Sequence, residues 1–364
     1  MLSWSQAQKA PWSERTRPYV IGHRGACAYF PDHSAASYLM AIEQGADFIE
    51  CDIVLTKDLV PVCRHEPWLS GTTNAMALFP DKVATYMVDG ENVTDIFSVD
   101  LTLAEVRSLR AKQPLPALRP TMYDGHFQVV TLEEYLQIAL NAPRTVGIYP
   151  ENKHPSFHNR RPEVLAANTT IQDISLNMLV KYGYTGPMNS PAWRRQPVFI
   201  QSFEQNDLVD LKSKTCIPLI QLLDSPGFVT PDRNKEYNAM VSDESLDDIA
   251  TYATGVGPWK NMLAAPAANG SVVSTGLVAR LHARGLSVHL YTLRPEAMYI
   301  FPQFNSQTTF NEFSYWFRNE GVEGGFTDSP VHLKAFFDAE AIDGNGWSLN
   351  QRQRMNSVPV CHLS

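Results

Sequence analysis

Short apolar, β-branched segments alternate with amphipathic segments along most of the chain. This alternation predicts parallel strands joined by helices, the pattern of an α/β sheet closed by a ring of helices. Eight segments can be assigned as strands of one ring, and eight is the number that a TIM barrel requires. They cover residues 19–22, 47–53, 146–149, 198–201, 217–222, 254–256, 286–291 and 322–326. The predicted helices cover residues 34–44, 164–182, 204–213, 245–252, 275–284 and 330–337.

The alternation is interrupted after the second strand. Residues 60–64 are predicted to run back from that strand as a hairpin, and residues 66–131 are rich in proline, glycine and polar side chains, with one helical piece at 103–109. A long irregular stretch inside a compact domain usually serves function. We therefore predict one TIM (β/α)8 barrel over residues 19–340, with a small insertion at about 66–130 that lies over the barrel mouth. Residues 1–18 are assigned to an N-terminal extension and residues 341–364 to a C-terminal tail.

The composition argues against some classes of binding partner but does not determine the cellular compartment. A net charge of −8 gives no reason to expect nucleic-acid binding, so an anionic substrate would need a local basic patch or a bound cation. No apolar run approaches the roughly 20 residues of a membrane span. Residues 1–17 contain no apolar stretch long enough for a secretory signal, which favours a cytosolic protein or a processed chain.

The five cysteines are few and odd in number, which is not typical of a disulfide scaffold. Cys51 and Cys63 could approach each other across the predicted hairpin, but buried free thiols are the default expectation.

Carboxylates cluster where barrel strands are predicted to end. Glu50 and Asp52 are two residues apart in one strand, so their side chains project from the same face. Glu151 and Lys153 share a face in the same way at the end of the next barrel strand. Carboxylates on apolar strands are costly unless neutralised, and a divalent cation neutralises them well. The pattern indicates a site in which Glu50, Asp52 and Glu151 bind an ion and Lys153 offers positive charge to a phosphate.

Residues 23–66, HRGACAYFPDHSAASYLMAIEQGADFIECDIVLTKDLVPVCRHE, resemble the signature of the glycerophosphodiester phosphodiesterase family. The resemblance continues in order through GIYPENKHPSFH, YGYTG, VFIQSFE, PLIQLLD, GVGPW, VHLYTLR and GVEGGFTDSP, and is greatest to the periplasmic, bacterial-type members. It implies a TIM barrel with an insertion after the second strand. It also implies metal-dependent hydrolysis of small glycerophosphodiesters, such as glycerophosphocholine, to glycerol 3-phosphate and an alcohol.

Residue roles follow from the same resemblance, position by position. It implies calcium or magnesium on Glu50, Asp52 and Glu151, acid–base catalysis by His23 and His65, and phosphate binding by Arg24 and Lys153. Two positions depart from the family pattern, because Asp32 stands where glutamate is usual and Glu66 where aspartate is common. The resemblance favours a secreted or periplasmic location, in conflict with the N-terminus; oligomeric state is not predicted.

Alternatives remain open at this stage. A phospholipase D-type enzyme acting on lysophospholipids or sphingomyelin would use similar groups on the same barrel, and a non-catalytic phosphodiester-binding barrel is a second alternative. For several polar and aromatic side chains, a surface, loop, capping or packing role is at least as well supported as a functional role. They are His33, His154, His158, Trp193, Trp259, Thr292, Arg294 and Asp328.

Overall fold

Strands and short helices alternate through the chain, and a computed structural model describes residues 9–10, 12–304, 308–344, 346–357 and 361. The strands are β1 (Tyr19–Gly22), β2 (Phe48–Leu55), β3 (Pro61–Cys63), β4 (Val83–Val88), β5 (Glu91–Ile96), β6 (Gly147–Asn152), β7 (Ile200–Ser202), β8 (Leu219–Leu223), β9 (Gly255–Pro258), β10 (Ala264–Pro266), β11 (Val272–Ser274), β12 (Ser287–Leu293) and β13 (Gly324–Thr327). The helices are α1 (Ala35–Glu43), α2 (Ala75–Leu78), α3 (Leu103–Val106), α4 (Leu132–Asn141), α5 (Pro155–His158), α6 (Pro162–Ala166), α7 (Ile171–Lys181), α8 (Pro191–Arg195), α9 (Gln205–Lys214), α10 (Asp243–Tyr252), α11 (Leu277–His282), α12 (Phe310–Ser314), α13 (Pro330–Ile342) and α14 (Leu349–Asn356). In the described part of the chain, every helix is too short or too polar to cross a membrane.

Eight parallel strands close into a ring in the order β1-β2-β6-β7-β8-β9-β12-β13, and β13 pairs with β1. The predicted TIM barrel is thereby confirmed. The predicted strand boundaries differ from the observed ones by at most three residues. The predicted hairpin is also present, with β3 antiparallel to the second half of β2.

Aromatic side chains fill the interior of the barrel near the amino-terminal ends of its strands. Tyr149 stacks on Phe199 with ring centroids 5.0 Å apart, and Phe48 lies 5.2 Å from Phe199. Gly147 is opposite Phe48 in the β2–β6 register, and a Cβ at Gly147 would lie 2.2 Å from the Phe48 ring. Any side chain at position 147 would collide with the Phe48 ring, so only glycine allows β2 and β6 to pair at this point.

The insertion has a hydrophobic core of its own. Its apolar side chains pack on Val54 and Val62 of the β2–β3 hairpin. It also contains the antiparallel pair β4–β5, joined by Asp89 and Gly90, which both have positive φ. The proline, glycine and polar content of this stretch predicts only irregular structure and one helix, although an Asp-Gly pair between strands is a strong hairpin signal. The insertion is therefore a folded cap on the barrel.

Helix α4 is missing from the predicted elements, yet it connects the two strands that bear the carboxylates. Thr131 and Glu134 form a capping box at its start, a signal that was available in the sequence. Tyr135 donates a hydrogen bond to the Ile49 carbonyl (2.7 Å) and accepts one from the Tyr149 amide (3.1 Å). The helix predicted over 164–182 is also broken, into α6 and α7, with Asn168 at a φ of +49° between them.

Four of the five cysteines form disulfides, so the expectation of free thiols is wrong for them. Cys51 of β2 bonds Cys63 of β3, which the hairpin brings to a Cα separation of 5.7 Å. Cys216 bonds Cys361, 145 residues away in the C-terminal segment. Cys27 is buried and unbonded.

The described parts of both terminal segments pack against the barrel. Trp12 lies 5.1 Å from Phe48 at the start of β2 and closes the amino end of the barrel. Asn356 of α14 accepts a hydrogen bond from the Arg15 amide (2.7 Å) and donates one to its carbonyl (2.9 Å). The proposed extension and tail also include residues 1–8, 11, 345, 358–360 and 362–364, which lie outside the described residues.

Candidate active site

The carboxyl ends of the barrel strands surround a polar cavity of about 100 Å³. Ligands bind at this end of TIM barrels because the loops that follow the strands meet there. All seven residues selected from the sequence line this cavity: His23, Arg24, Glu50, Asp52, His65, Glu151 and Lys153. The structure therefore brings together side chains that are up to 130 residues apart in sequence (153 − 23).

Glu50, Asp52 and Glu151 present a compact set of carboxylate oxygens. Asp52 is directly opposite Glu151 in the β2–β6 register, and the three side chains offer ligand atoms within 4.8 Å of one another. All three residues are at least 95% buried, and Oε1 of Glu50 has no hydrogen-bond partner.

Burial and the neighbouring carboxylates raise the pKa of Glu50, and burial raises that of Glu151 to about 8 against the opposing effect of Lys153. Three buried hard-oxygen donors, one without a partner, fit a divalent cation such as calcium or magnesium.

Two basic side chains border the carboxylates. The Lys153 ammonium lies 2.8 Å from Glu151 and 3.6 Å from Asp52. Arg24 has a φ of +56°, which turns its amide onto Glu50 (2.6 Å) while its guanidinium reaches Asp32 (2.9 Å). Asp32, the shorter acid that departs from the family pattern, thus still reaches the arginine. The arrangement keeps two positive charges at the rim of the carboxylate cluster.

His33 is a buried neighbour of this cluster, although the sequence alone favours a surface position at least as strongly. It is 1% exposed, not a surface imidazole. Its Nε2 is 2.9 Å from Asp52 and its Nδ1 is 2.8 Å from the Tyr38 hydroxyl. Burial lowers the pKa of His33 to about 4, so the neutral ring donates to Asp52 and accepts from Tyr38. Such a partner fixes the orientation of the Asp52 carboxylate.

His23 is held by a buried carboxylate at the end of the last strand. Its Nδ1 lies 2.6 Å from Asp328, which is 1% exposed. Arg119 of the insertion donates to the other oxygen of Asp328 at 2.5 Å and also pairs with Glu296 at 2.7 Å. Burial alone would raise the pKa of Asp328, but His23, Arg119 and Arg294 hold it well below its usual range. The carboxylate therefore stays ionised and keeps the proton of His23 on Nδ1.

His65 has a parallel arrangement on the other side of the cavity. Its Nδ1 lies 2.6 Å from Glu66, whose second oxygen is 3.0 Å from Nε2 of His154. Nδ1 of His154 in turn lies 2.7 Å from Asp89, in the turn between β4 and β5. Burial, Arg24 and Lys153 lower the pKa of His65 to about 4, so this imidazole is neutral near pH 7. Each histidine thus has a carboxylate partner that the insertion holds in turn.

His154 should make stability depend on pH through this chain of contacts. Burial alone would lower its pKa, but hydrogen bonds to Asp89 and Glu66 raise it to about 9. Since the folded pKa exceeds the ordinary value of 6.5, the contribution is complete below pH 6.5 and is lost as pH rises through 9.

We expect His154→Asn, which suits the left-handed backbone at this position, to lower the free energy of unfolding by on the order of 1–3 kcal/mol at pH 6. The penalty should be much smaller at pH 10, and urea titrations at both values measure it. An equal penalty at both pH values would contradict the prediction.

The remaining side chains left open by the sequence divide between packing and function. Trp193 is fully buried, 5.7 Å from the Phe199 ring and 6.0 Å from the Trp12 ring, so its packing interpretation holds. His158 is buried with neither ring nitrogen hydrogen-bonded. Asp328 contacts His23, whereas Trp259 is half-buried at the end of β9.

Comparisons with known proteins find similar sequences and similar folds. The sequence model of the glycerophosphoryl diester phosphodiesterase family matches residues 23–332. A glycerophosphodiester phosphodiesterase of Arabidopsis thaliana is 43% identical over 317 residues, which cover 86% of this chain and 84% of that protein.

Solved structures share the fold. One from Silicibacter pomeroyi aligns with a TM-score of 0.62 at 20% identity, over 93% of this chain and 97% of that one. A phosphodiesterase from Oleispira antarctica, solved in complex with the product sn-glycerol-3-phosphate, aligns with a TM-score of 0.57 at 18% identity, over 88% and 97% of the two chains.

Proposed function

The chain belongs to the glycerophosphoryl diester phosphodiesterase family, and from this premise we propose that it hydrolyses small glycerophosphodiesters to sn-glycerol 3-phosphate and a free alcohol. Glycerophosphocholine and glycerophosphoethanolamine are the substrates to test first. The observation that carries the proposal is one cavity lined by two histidines that each contact a carboxylate, three buried carboxylates and three basic side chains. The product bound in the Oleispira antarctica relative supports the same chemistry.

A divalent cation, calcium or magnesium, would be held by Glu50, Asp52 and Glu151, and when bound it would stabilise negative charge on the phosphate oxygens. Arg24 and Lys153 border the same carboxylates and would bind the non-bridging oxygens of the phosphodiester. Their charges offset the repulsion between an anionic ester and an approaching nucleophile. These residues therefore bind and orient the substrate.

His23 and His65 would move the protons. In each, Nδ1 donates to a carboxylate, so Nε2 is the nitrogen left to exchange a proton with the substrate. One histidine would accept a proton from the nucleophile, which is water or the glycerol hydroxyl of the substrate itself; in the second case a cyclic phosphate forms, and water then opens it to glycerol 3-phosphate. The other would donate to the oxygen of the leaving alcohol. The negative phosphodiester raises the pKa of a nearby imidazole, which helps the donor to hold its proton.

Chelation is the direct test of this function. We expect the protein to release sn-glycerol 3-phosphate from glycerophosphocholine, release to stop when a chelator is added, and activity to return with calcium or magnesium. A coupled glycerol 3-phosphate assay on the folded protein measures each step. Release that persists after exhaustive chelation would contradict the role of the carboxylates. If no release occurs with either ion, glycerophosphocholine is not a substrate and lysolipids would be tested next.

A further inference from the structure

A second cavity of about 440 Å³ lies at the same end of the barrel, beside the active site. The two cavities share Tyr291, Thr292 and Arg294 in their walls, so they adjoin at these three residues. We call this space the side cavity and define it by Asp224, Trp259, Tyr291, Arg294, Tyr299 and Phe301. The proposed reaction places a phosphate in the first cavity and leaves the use of the second unassigned.

Aromatic rings form much of its wall. Trp259 follows β9 and forms a parallel bridge with Tyr291 in β12, so the two side chains come from adjacent strand ends. The Trp259 amide (2.8 Å) and the Tyr291 hydroxyl (3.1 Å) both donate to the carbonyl of Leu223. This shared acceptor holds the two strand ends together. The Trp259 indole is half-buried and has no ring partner among the described residues. An indole face of this kind is available to a ligand.

The charges around the side cavity do not balance. Lys260 is buried and pairs with Glu312 at 2.6 Å, and Arg294 lies 3.4 Å from Asp328 and stacks on the Tyr299 ring at 4.7 Å. Asp224 is half-buried at the end of β8. In the part of the chain that the structure describes, no basic side chain lies within 4.0 Å of it. Its carboxylate accepts the Ser225 amide at 2.6 Å. The Tyr291 hydroxyl, a neutral group, also hydrogen-bonds to Asp224, so among the described residues one negative charge without a basic partner lies between aromatic rings.

We propose that the side cavity binds the head group of the leaving alcohol and selects a cationic amino alcohol, such as choline or ethanolamine, over a neutral polyol. An ammonium group gains from the faces of Trp259 and Tyr291 and from the Asp224 carboxylate, whereas a polyol gains from neither aromatic face. The size of the cavity is within the range of small-molecule sites. This inference rests on the proposed function, since it assigns the second half of the same substrate.

Two matched probes test the subsite without requiring turnover. Choline and its uncharged isostere 3,3-dimethylbutan-1-ol have the same shape, so a difference in their binding reports the charge. We expect the protein to bind choline at least about 10-fold more tightly than the isostere, measured by tryptophan fluorescence or calorimetry. Asp224→Asn should abolish that preference. Equal binding of both probes by the unmodified protein would overturn the proposal.

Steady-state kinetics on two substrates show which part of the substrate the side cavity binds. Asp224→Asn and Trp259→Leu should each raise KM for glycerophosphocholine by about 3- to 30-fold. They should leave kcat, and KM for glycerophosphoglycerol, nearly unchanged. Glu244→Gln, an exposed carboxylate on α10, is the matched control and should change neither value. Equal losses on both substrates would overturn the proposal, because the cavity would then hold the glycerol phosphate that the substrates share.

The two hypotheses fail in different ways. If no diester is hydrolysed but choline still binds through Asp224, the proposed function fails and the cationic subsite stands. If glycerophosphodiesters are hydrolysed but choline binds no better than its isostere, the subsite fails and the function stands.

Discussion

Replacing His23 or His65 with glutamine lowers kcat for release of sn-glycerol 3-phosphate by about 10²–10⁴-fold, if the two imidazoles act as the general acid and base. Both line the cavity of the carboxylates, and each has its Nδ1 fixed on a carboxylate at 2.6 Å. Glutamine retains a hydrogen-bonding group for that carboxylate but cannot exchange a proton near neutral pH. Steady-state assays with saturating calcium or magnesium measure the loss.

His332→Gln is the matched control for these variants, because His332 is an exposed imidazole on α13. It should keep normal kcat. Thermal unfolding of each variant verifies that the barrel is intact. Turnover within a few-fold of normal in either the His23 or the His65 variant would remove that residue from the mechanism.

The sequence predicts that the candidate site residues meet in one place, and that prediction depends on short-range rules. Glu50 and Asp52 are two residues apart in a strand, and the twofold period of strands places them on one face. Glu151 ends the next barrel strand, and the carboxyl ends of parallel strands meet at one edge. The count of eight strands predicts the barrel. The barrel in turn brings the three proposed metal ligands and the two proposed proton-carrying histidines into one cavity.

The parts that the sequence does not predict depend on contacts between distant segments. Arg119 meets Asp328 across 209 residues, and Cys216 meets Cys361 across 145. No periodicity reports such pairs, because they follow from the way the insertion and the C-terminal segment fold onto the barrel. His33 is hidden for another reason, since its position depends on a φ of +57° in the loop before α1.

The β4–β5 hairpin and α4 belong to a different class, because their local signals were present. Asp89 and Gly90 are a typical hairpin turn, and Thr131 with Glu134 is a capping box. Both lie in or beside a stretch whose proline and glycine content favours an irregular interpretation. Both elements matter for the candidate site. The hairpin places Asp89 against His154, and α4 is hydrogen-bonded to both β2 and β6 through Tyr135.

The insertion therefore does more than cover the barrel mouth. Asp89 acts on His65 through His154 and Glu66, and Arg119 acts on His23 through Asp328. Both residues lie in a cap with its own apolar core, so the geometry of the two imidazoles depends on how this cap is seated.

Asp328→Asn provides the sharper test of this arrangement, with an expected fall in kcat of about 10²–10⁴-fold. An amide can donate to Nδ1 of His23, which would move the ring proton to Nε2 and leave the wrong tautomer for accepting a proton. Asp328 does not border the carboxylate cluster in the cavity lining, so metal dependence should stay normal. Asp338→Asn, an exposed carboxylate on α13, is the matched control. Normal kcat in Asp328→Asn would show that His23 needs no carboxylate.

Arg119 separates a positioning role from a structural one. Arg119→Met removes the positive charge that offsets Asp328, so the pKa of His23 should rise and the corresponding limb of the pH–kcat profile should move to higher pH. The loss of kcat should be smaller, about 3- to 30-fold, because His23 keeps its carboxylate. Arg119→Lys restores charge near Asp328 and should return the limb toward its normal position. A fall in kcat without any shift of the profile would mean that Arg119 only holds the insertion in place.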